Sequence, residues 1–150
     1  MALQAPPNGT GQVIDTFTTV ALKERTVVIP PQGGRWSVSH VPAAATQATA
    51  SQAAGAAGVK NVCEAIVATE CVAVGAAQTI IYLNVRDGAT GAGTVLLGIA
   101  LLLPVSSYWQ VALSGLCLVG TAATAMTIEF SAAGVAGSYQ AVFMSGYTTA

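Results

Sequence analysis

The stretch LNVRDGATGAGTVLLGIALLLP, Leu83 to Pro104, admits three readings, and the choice among them decides the fold. Gly88, Gly91 and Gly93 suggest a phosphate loop, the apolar run Val95–Leu103 suggests a membrane span, and Asp87-Gly88 suggests a turn between two strands. A phosphate loop needs Gly-Lys-Ser/Thr opening a helix, so that backbone N–H groups and a lysine meet the phosphates. Here Thr94 follows the last glycine, no lysine is near, and the dinucleotide spacing G-x-G-x-x-G is absent. A spanning helix needs about 20 apolar residues. This run has nine, is stopped by Pro104, and meets Gly93, Gly91, Asp87 and Arg86 on one side and Gln110 on the other. The spacing therefore predicts a strand, a connection whose glycines take positive φ, and a second strand that is buried. A membrane barrel strand has the same length, but the chain has too few aromatics for its girdles.

Strand signals continue in both directions. Towards the C-terminus come SYWQVALSG, ending at Gly115, then LCLVG, AMTIEFSAAG and YQAVFMSGY. Towards the N-terminus VKNVCEAIVATECVAV alternates, as do Trp36, Val38 and His40 against Ser37, Ser39 and Val41. Between them lies the Ala-rich PAAATQATASQAAGAAG. Propensity favours a helix there, but Thr46, Thr49 and Ser51 interrupt it and only Ala recurs at helical spacing, so it reads as strand or extended loop. Period-two patterning with a turn signal about every 10 residues predicts an all-β antiparallel sandwich of about eight strands over Arg35–Ala150. The absence of strand–helix alternation argues against a parallel nucleotide-binding sheet. Met1–Gly34 reads as an extended N-terminal arm. Pro6, Pro7, Gly9 and Gly11 open it, Val13, Ile14, Phe17 and Val20 are scattered apolar anchors, and Thr26–Ile29 before Pro30-Pro31 fits an edge strand.

Composition narrows the function. Of 150 residues, 53% are hydrophobic but only 7% are charged, against roughly 25% in an ordinary soluble domain. Much of the surface therefore needs cover. With a net charge of −1 and no basic run, nothing here recruits nucleic acid. MALQAPPNGTGQ lacks the basic and apolar regions of a secretory signal, so cytoplasmic synthesis is expected. Cys63, Cys71 and Cys117 make no disulfide framework and no zinc set, and read as free buried thiols.

The chemistry of a catalytic site is missing as well. His40 is the one histidine, with only Ser37 and Ser39 nearby in sequence, and reads as structural. Glu64 and Glu70 share a parity on one strand but lie about 20 Å apart, too far for a glycosidase pair. Glu129 stands alone, facing away from Ile128 and Phe130. Asp87 reads as a turn former that Arg86 pairs with. Trp36, Tyr108 and Trp109 would be the signature of a carbohydrate-binding surface if they cluster, although core and interface roles are commoner. No residue set calls for a metal or cofactor.

LNVRDGATGAGTVLLG and VALSGLCLVGTAATAMTIEFSAAGVAGSYQAVFMSGY resemble the head decoration or cement proteins of tailed bacteriophages. The similarity covers about Gly58 to Tyr147, and its most telling elements are RDG-x-T-G-A-G-T, LSGL and MT-x-EFSAAG. The resemblance implies a jelly-roll-like sandwich on the outside of an icosahedral capsid, with the major capsid protein as partner, a virion location, no enzyme activity and no cofactor. A tail, neck or fibre-associated protein shares the same composition. Scarce charge further predicts a homo-oligomer, a dimer before a trimer. The expected capsid contacts are Val13, Ile14 and Phe17, and the expected interface or loop residues are Trp36, Asp87, Tyr108 and Trp109. Neither nucleic acid nor a membrane is an expected partner.

Overall fold

The computed structural model describes residues 34–73 and 80–150, together with the backbone of two short strands before them, β1 (Gln12–Asp15) and β2 (Arg25–Val28). The chain divides into two compact units, Met1–Gln32 and Gly33–Ala150. In the first unit β1 and β2 pair antiparallel, with Val13 opposite Val27 and Asp15 opposite Arg25. Phe17 lies outside the described residues, as do the side chains of Val13 and Ile14.

The second unit holds β3 (Arg35–His40), β4 (Thr49–Gln52), β5 (Lys60–Cys71), β6 (Ile80–Asp87), β7 (Thr94–Leu102), β8 (Tyr108–Val119), β9 (Met126–Phe130) and β10 (Tyr139–Thr149). They form two four-stranded sheets, β3-β10-β5-β8 and β4-β9-β6-β7, in which every pair is antiparallel. Successive strands change sheet at each connection except the β6–β7 hairpin, which is the jelly-roll arrangement. No helix occurs among the described residues. The core lies between the sheets and is built from alternate residues of each strand, among them Ile66, Leu83, Ile128, Phe130 and Met144. Trp109 points inward and meets Phe130 edge to face, with ring centroids 6.5 Å apart.

Three features differ from the strand reading. The apolar run of β7 is not a buried strand. It is a sheet edge, so only alternate residues turn inward, and Leu102 is exposed while Leu101 is buried. Gly115 does not end a strand either. It sits inside β8 at φ 70°, in a bulge where Gly115, Leu116 and Cys117 of β8 stand against Glu64 alone on β5. That irregularity also breaks the parity of β5. Cys63 and Ile66 both enter the core, so Glu64 is turned away from the face that carries Glu70. Glu64 meets Arg35 at 3.1 Å in an exposed ion pair, whereas Glu70 is buried.

Candidate functional site

The antiparallel topology gathers the connections at two ends of the sandwich, and the ends are chemically unlike. At one end lie the turns 53–59, 88–93 and 120–125. They are tied to the sheets by Gly120 N to Asn61 O at 2.9 Å, Ala123 N to Val59 O at 2.9 Å and Gly88 N to Ala125 O at 2.8 Å. Here stand Arg35, Lys60, Glu64, Arg86 and Asp87. At the other end lie the connections 41–48, 103–107 and 131–138 and the described start, Val72 and Ala73, of the connection after β5; they are joined by Ala45 N to Ser138 O and Val72 N to Ser107 O, both at 2.8 Å. Their sequences, VPAAATQA, VAVGAAQT, LPVSS and SAAGVAGS, contain no charged residue. Most of the exposed large apolar side chains are at this end: Val41, Ile80, Leu102, Val105, Tyr108 and Tyr139, with Val41 76% and Tyr108 63% exposed. Tyr108, Cys71 and Tyr139 are direct cross-strand neighbours on β8, β5 and β10 and form an outward row there.

The glycine-rich turn that opened the question belongs to the charged end. Gly88, Gly91 and Gly93 all take positive φ, at 146°, 71° and 79°, as the turn reading expects. The turn folds over the outer face of β9, whose five residues are consequently all buried. Thr127 Oγ1 donates to Gly88 O at 2.7 Å, and the Thr49 and Thr90 hydroxyls lie 2.8 Å apart. Gly91 N donates to Glu129 Oε2 at 2.8 Å, and Glu129 Oε1 pairs with Arg86 Nε. A backbone N–H that could have met a phosphate thus meets a carboxylate of the same chain. Arg86 therefore pairs with Glu129 rather than with Asp87. Asp87 instead accepts from Thr121 N at 2.9 Å, tying this turn to the 120–125 turn. An added Cβ at Gly93 would lie 2.0 Å from Asp87 O, so only glycine closes this connection.

The remaining nominated residues do not form one site. Trp36 pairs with Gly146 at the charged end, while Tyr108 and Trp109 pair with Cys71 and Glu70 at the other. Seven positions of β5 separate these registers, about 23 Å, and both indoles pack on the core. Tyr108 alone of the three is a freely presented aromatic, so the three do not cluster, and Trp36 and Trp109 lie half-buried in strands rather than in loops. His40 Nδ1 accepts from Thr49 N at 3.2 Å, a structural role. Only one of the thiols is buried as read: Cys63 is, and Cys71 and Cys117 are exposed. Burial, ahead of the smaller influence of Glu64, pushes the Cys63 thiol up to about 11.

Sequence reading weighed Glu70 only as a partner for Glu64 and missed that it is buried. It lies on the inner face of β5, cross-strand from Gln140, and is 3% exposed. Burial raises its carboxyl above the usual range, and the Gln140 hydrogen bond only partly opposes this. Its shared parity with Ile66 and Ala68 was the available signal. The uncharged end was also legible, as four connections without a single charge, but only topology brings them together.

The chain matches no described protein family. No curated protein is similar to it. A solved structure from Bacillus endospore appendages, described as a novel family of disulfide-linked pili, aligns with 78% of this chain and 87% of its own at 15% identity and a TM-score of 0.26. A likeness of that size carries no argument about fold or function.

Proposed function

We propose that this protein is a virion structural protein that binds the outer surface of a bacteriophage capsid and stabilises the shell. The observation that carries the reading is the segregation of charge: one end of the sandwich exposes Val, Ile, Leu and Tyr with no charge, while the opposite end holds the ions. A monomer that displays such an end to water is poorly soluble. Seated on a shell, the same end is covered and the charged end faces solvent. The resemblance of Gly58–Tyr147 to phage decoration proteins agrees with this arrangement. Self-association, as a dimer before a trimer, is proposed on the same scarcity of charge, and Val13, Ile14 and Phe17 of the N-terminal unit are proposed as a second contact.

Mass spectrometry and cryo-electron microscopy of purified particles test the proposal. The expected result is density on heads at a copy number approaching that of the shell protein, with the 103–107 and 131–138 connections against the shell. Location on tails, or absence from particles, overturns it. Deleting Met1–Val20 separates the two contacts: unchanged occupancy and heat resistance would remove the arm from the attachment.

A further inference from the structure

Beneath the uncharged end lies a buried acid whose bonding is incomplete. Glu70 Oε1 accepts one long hydrogen bond, from Gln140 Nε2 at 3.4 Å, and Oε2 has no partner among the described residues. Gln140 is already engaged, donating to Ala132 O at 3.1 Å and accepting from Ala48 N at 3.1 Å. Glu70 borders a cavity of about 20 Å³ whose other walls include Val72, Ile81, Leu103, Gly134 and Val135. Among the described residues the facing groups are Gln140 of β10, Trp109 of β8, Ile81 of β6, and Val72, Leu103 and Ala133–Val135 of the connections. None of them is charged. A carboxyl taken out of water with so little compensation is costly. Among the described residues the sandwich offers it no counter-ion and keeps it below an apolar surface.

We infer that Glu70 and this cavity form a socket for a primary ammonium on an aliphatic stem, the end of a lysine side chain presented by the protein surface on which the uncharged end docks. The inference rests on the reading of that end as the attachment face. An ammonium is a compact charge with three donors on a flexible methylene chain. Its head is water-sized, and a space of ≳ 10–15 Å³ admits one water. A guanidinium is planar and wider. A divalent cation needs several oxygen ligands, and no group of three or more His, Cys, Asp or Glu occurs among the described residues. The apolar walls suit the methylenes of a lysine. Gly134 keeps a side chain off the acid, since a Cβ there would lie 3.0 Å from Ser138 Cβ, 3.7 Å from Glu70 Oε1 and 3.8 Å from Gln140 Nε2. In the empty socket burial makes the carboxyl give up its proton less readily than an exposed one. The arriving ammonium supplies both counter-charge and donor, and the carboxyl proton leaves to solvent, so docking tightens as pH rises towards the Glu70 titration.

The full chain and its Glu70→Gln variant are titrated with n-butylammonium chloride, using tetramethylammonium chloride at equal ionic strength as the bulky, donor-free control. The carboxyl is followed by carbon NMR of labelled glutamate, and stability by thermal unfolding. Butylammonium is expected to move the Glu70 midpoint to lower pH and raise the wild-type melting temperature, with tetramethylammonium inert and Glu70→Gln unresponsive. Equal responses of wild type and variant, or an unmoved Glu70 midpoint, overturn the socket. On particles, Glu70→Gln should weaken decoration at least about tenfold. Decoration by the variant at wild-type affinity refutes the socket while leaving the attachment reading intact. A wild-type protein that binds butylammonium but never decorates supports the socket and overturns the attachment reading.

Discussion

Replacing Glu129 with glutamine tests whether the glycine-rich turn is held by charge or by shape. The glutamine keeps an oxygen for Gly91 N but removes the counter-charge of Arg86, whose side chain is 19% exposed beside a carboxylate that is 1% exposed. Breaking a buried pair from one side costs about 3–5 kcal/mol, because the remaining charge is left without compensation. Arg86 keeps some contact with solvent, and its Nη1 still reaches Gly93 O at 3.4 Å, so the lower end applies, about 3 kcal/mol. At about 4 °C per kcal/mol for a domain of this size, the melting temperature should fall by about 12 °C. Differential scanning calorimetry measures the loss, and amide exchange at Gly91 reports whether the turn lifts from β9. Adding Arg86→Met to Glu129→Gln removes the stranded charge and should restore stability to within about 1 kcal/mol of wild type. If Glu129→Gln alone lies within about 0.5 kcal/mol of wild type and Gly91 stays protected, the ion pair does not hold the turn and the reasoning fails.

Three further outcomes follow from the same geometry. Gly93→Ala should cost more than about 2 kcal/mol, from its φ of 79° and the 2.0 Å approach to Asp87 O, whereas Gly91→Ala, with a similar φ but open space around it, should cost less; equilibrium denaturation ranks the two. Titration with a thiol reagent at neutral pH should modify Cys71 and Cys117 in the folded protein, and Cys63, buried and pushed up to about 11, only after unfolding. Glu70 sets a pH dependence of definite sign. Its folded-state carboxyl titrates above the ordinary value of 4.5, so the folded protein binds the proton more tightly, its contribution is fully present below that value, and it is lost as pH rises through the folded-state titration. Glu70→Gln should flatten this part of the stability profile and be the more stable protein at neutral pH, as chemical unfolding at several pH values will show.

Alternation made the strands legible, because a buried face and a wet face write a period of two into the chain. It could not reveal where alternation breaks. Gly115 looks like a strand end because glycine normally punctuates apolar runs, and only the pairing of β8 with β5 identifies it as a bulge. That bulge then sends Glu64 and Glu70 to different environments despite their shared parity. The apolarity of β7 likewise suggested burial, whereas its position at a sheet edge is a property of strand order. The turn at Gly88–Gly93 was legible as a turn from its glycines. Its role was not, because Glu129, which it covers, is 36 or more residues away along the chain.

The proposed end-on attachment would limit how tightly one copy can bind. Four strands at about 4.8 Å spacing give a sheet width of about 19 Å, and two sheets about 10 Å apart with their outer side chains span a similar depth. The uncharged end therefore offers a footprint of about 400 Å², half of the roughly 800 Å² that a stable interface covers on each partner. Apolar contact over that area, even with one lysine seated at Glu70, leaves a single copy weakly held. Firm attachment then requires linkage, through a second contact on the same chain or through association with neighbouring copies, each of which makes later contacts effectively intramolecular. On this footing self-association and shell binding are a single requirement, and occupancy on particles should rise steeply with protein concentration rather than follow a single-site curve. A hyperbolic occupancy curve with monomers at isolated positions would separate the two and leave the uncharged end without its proposed role.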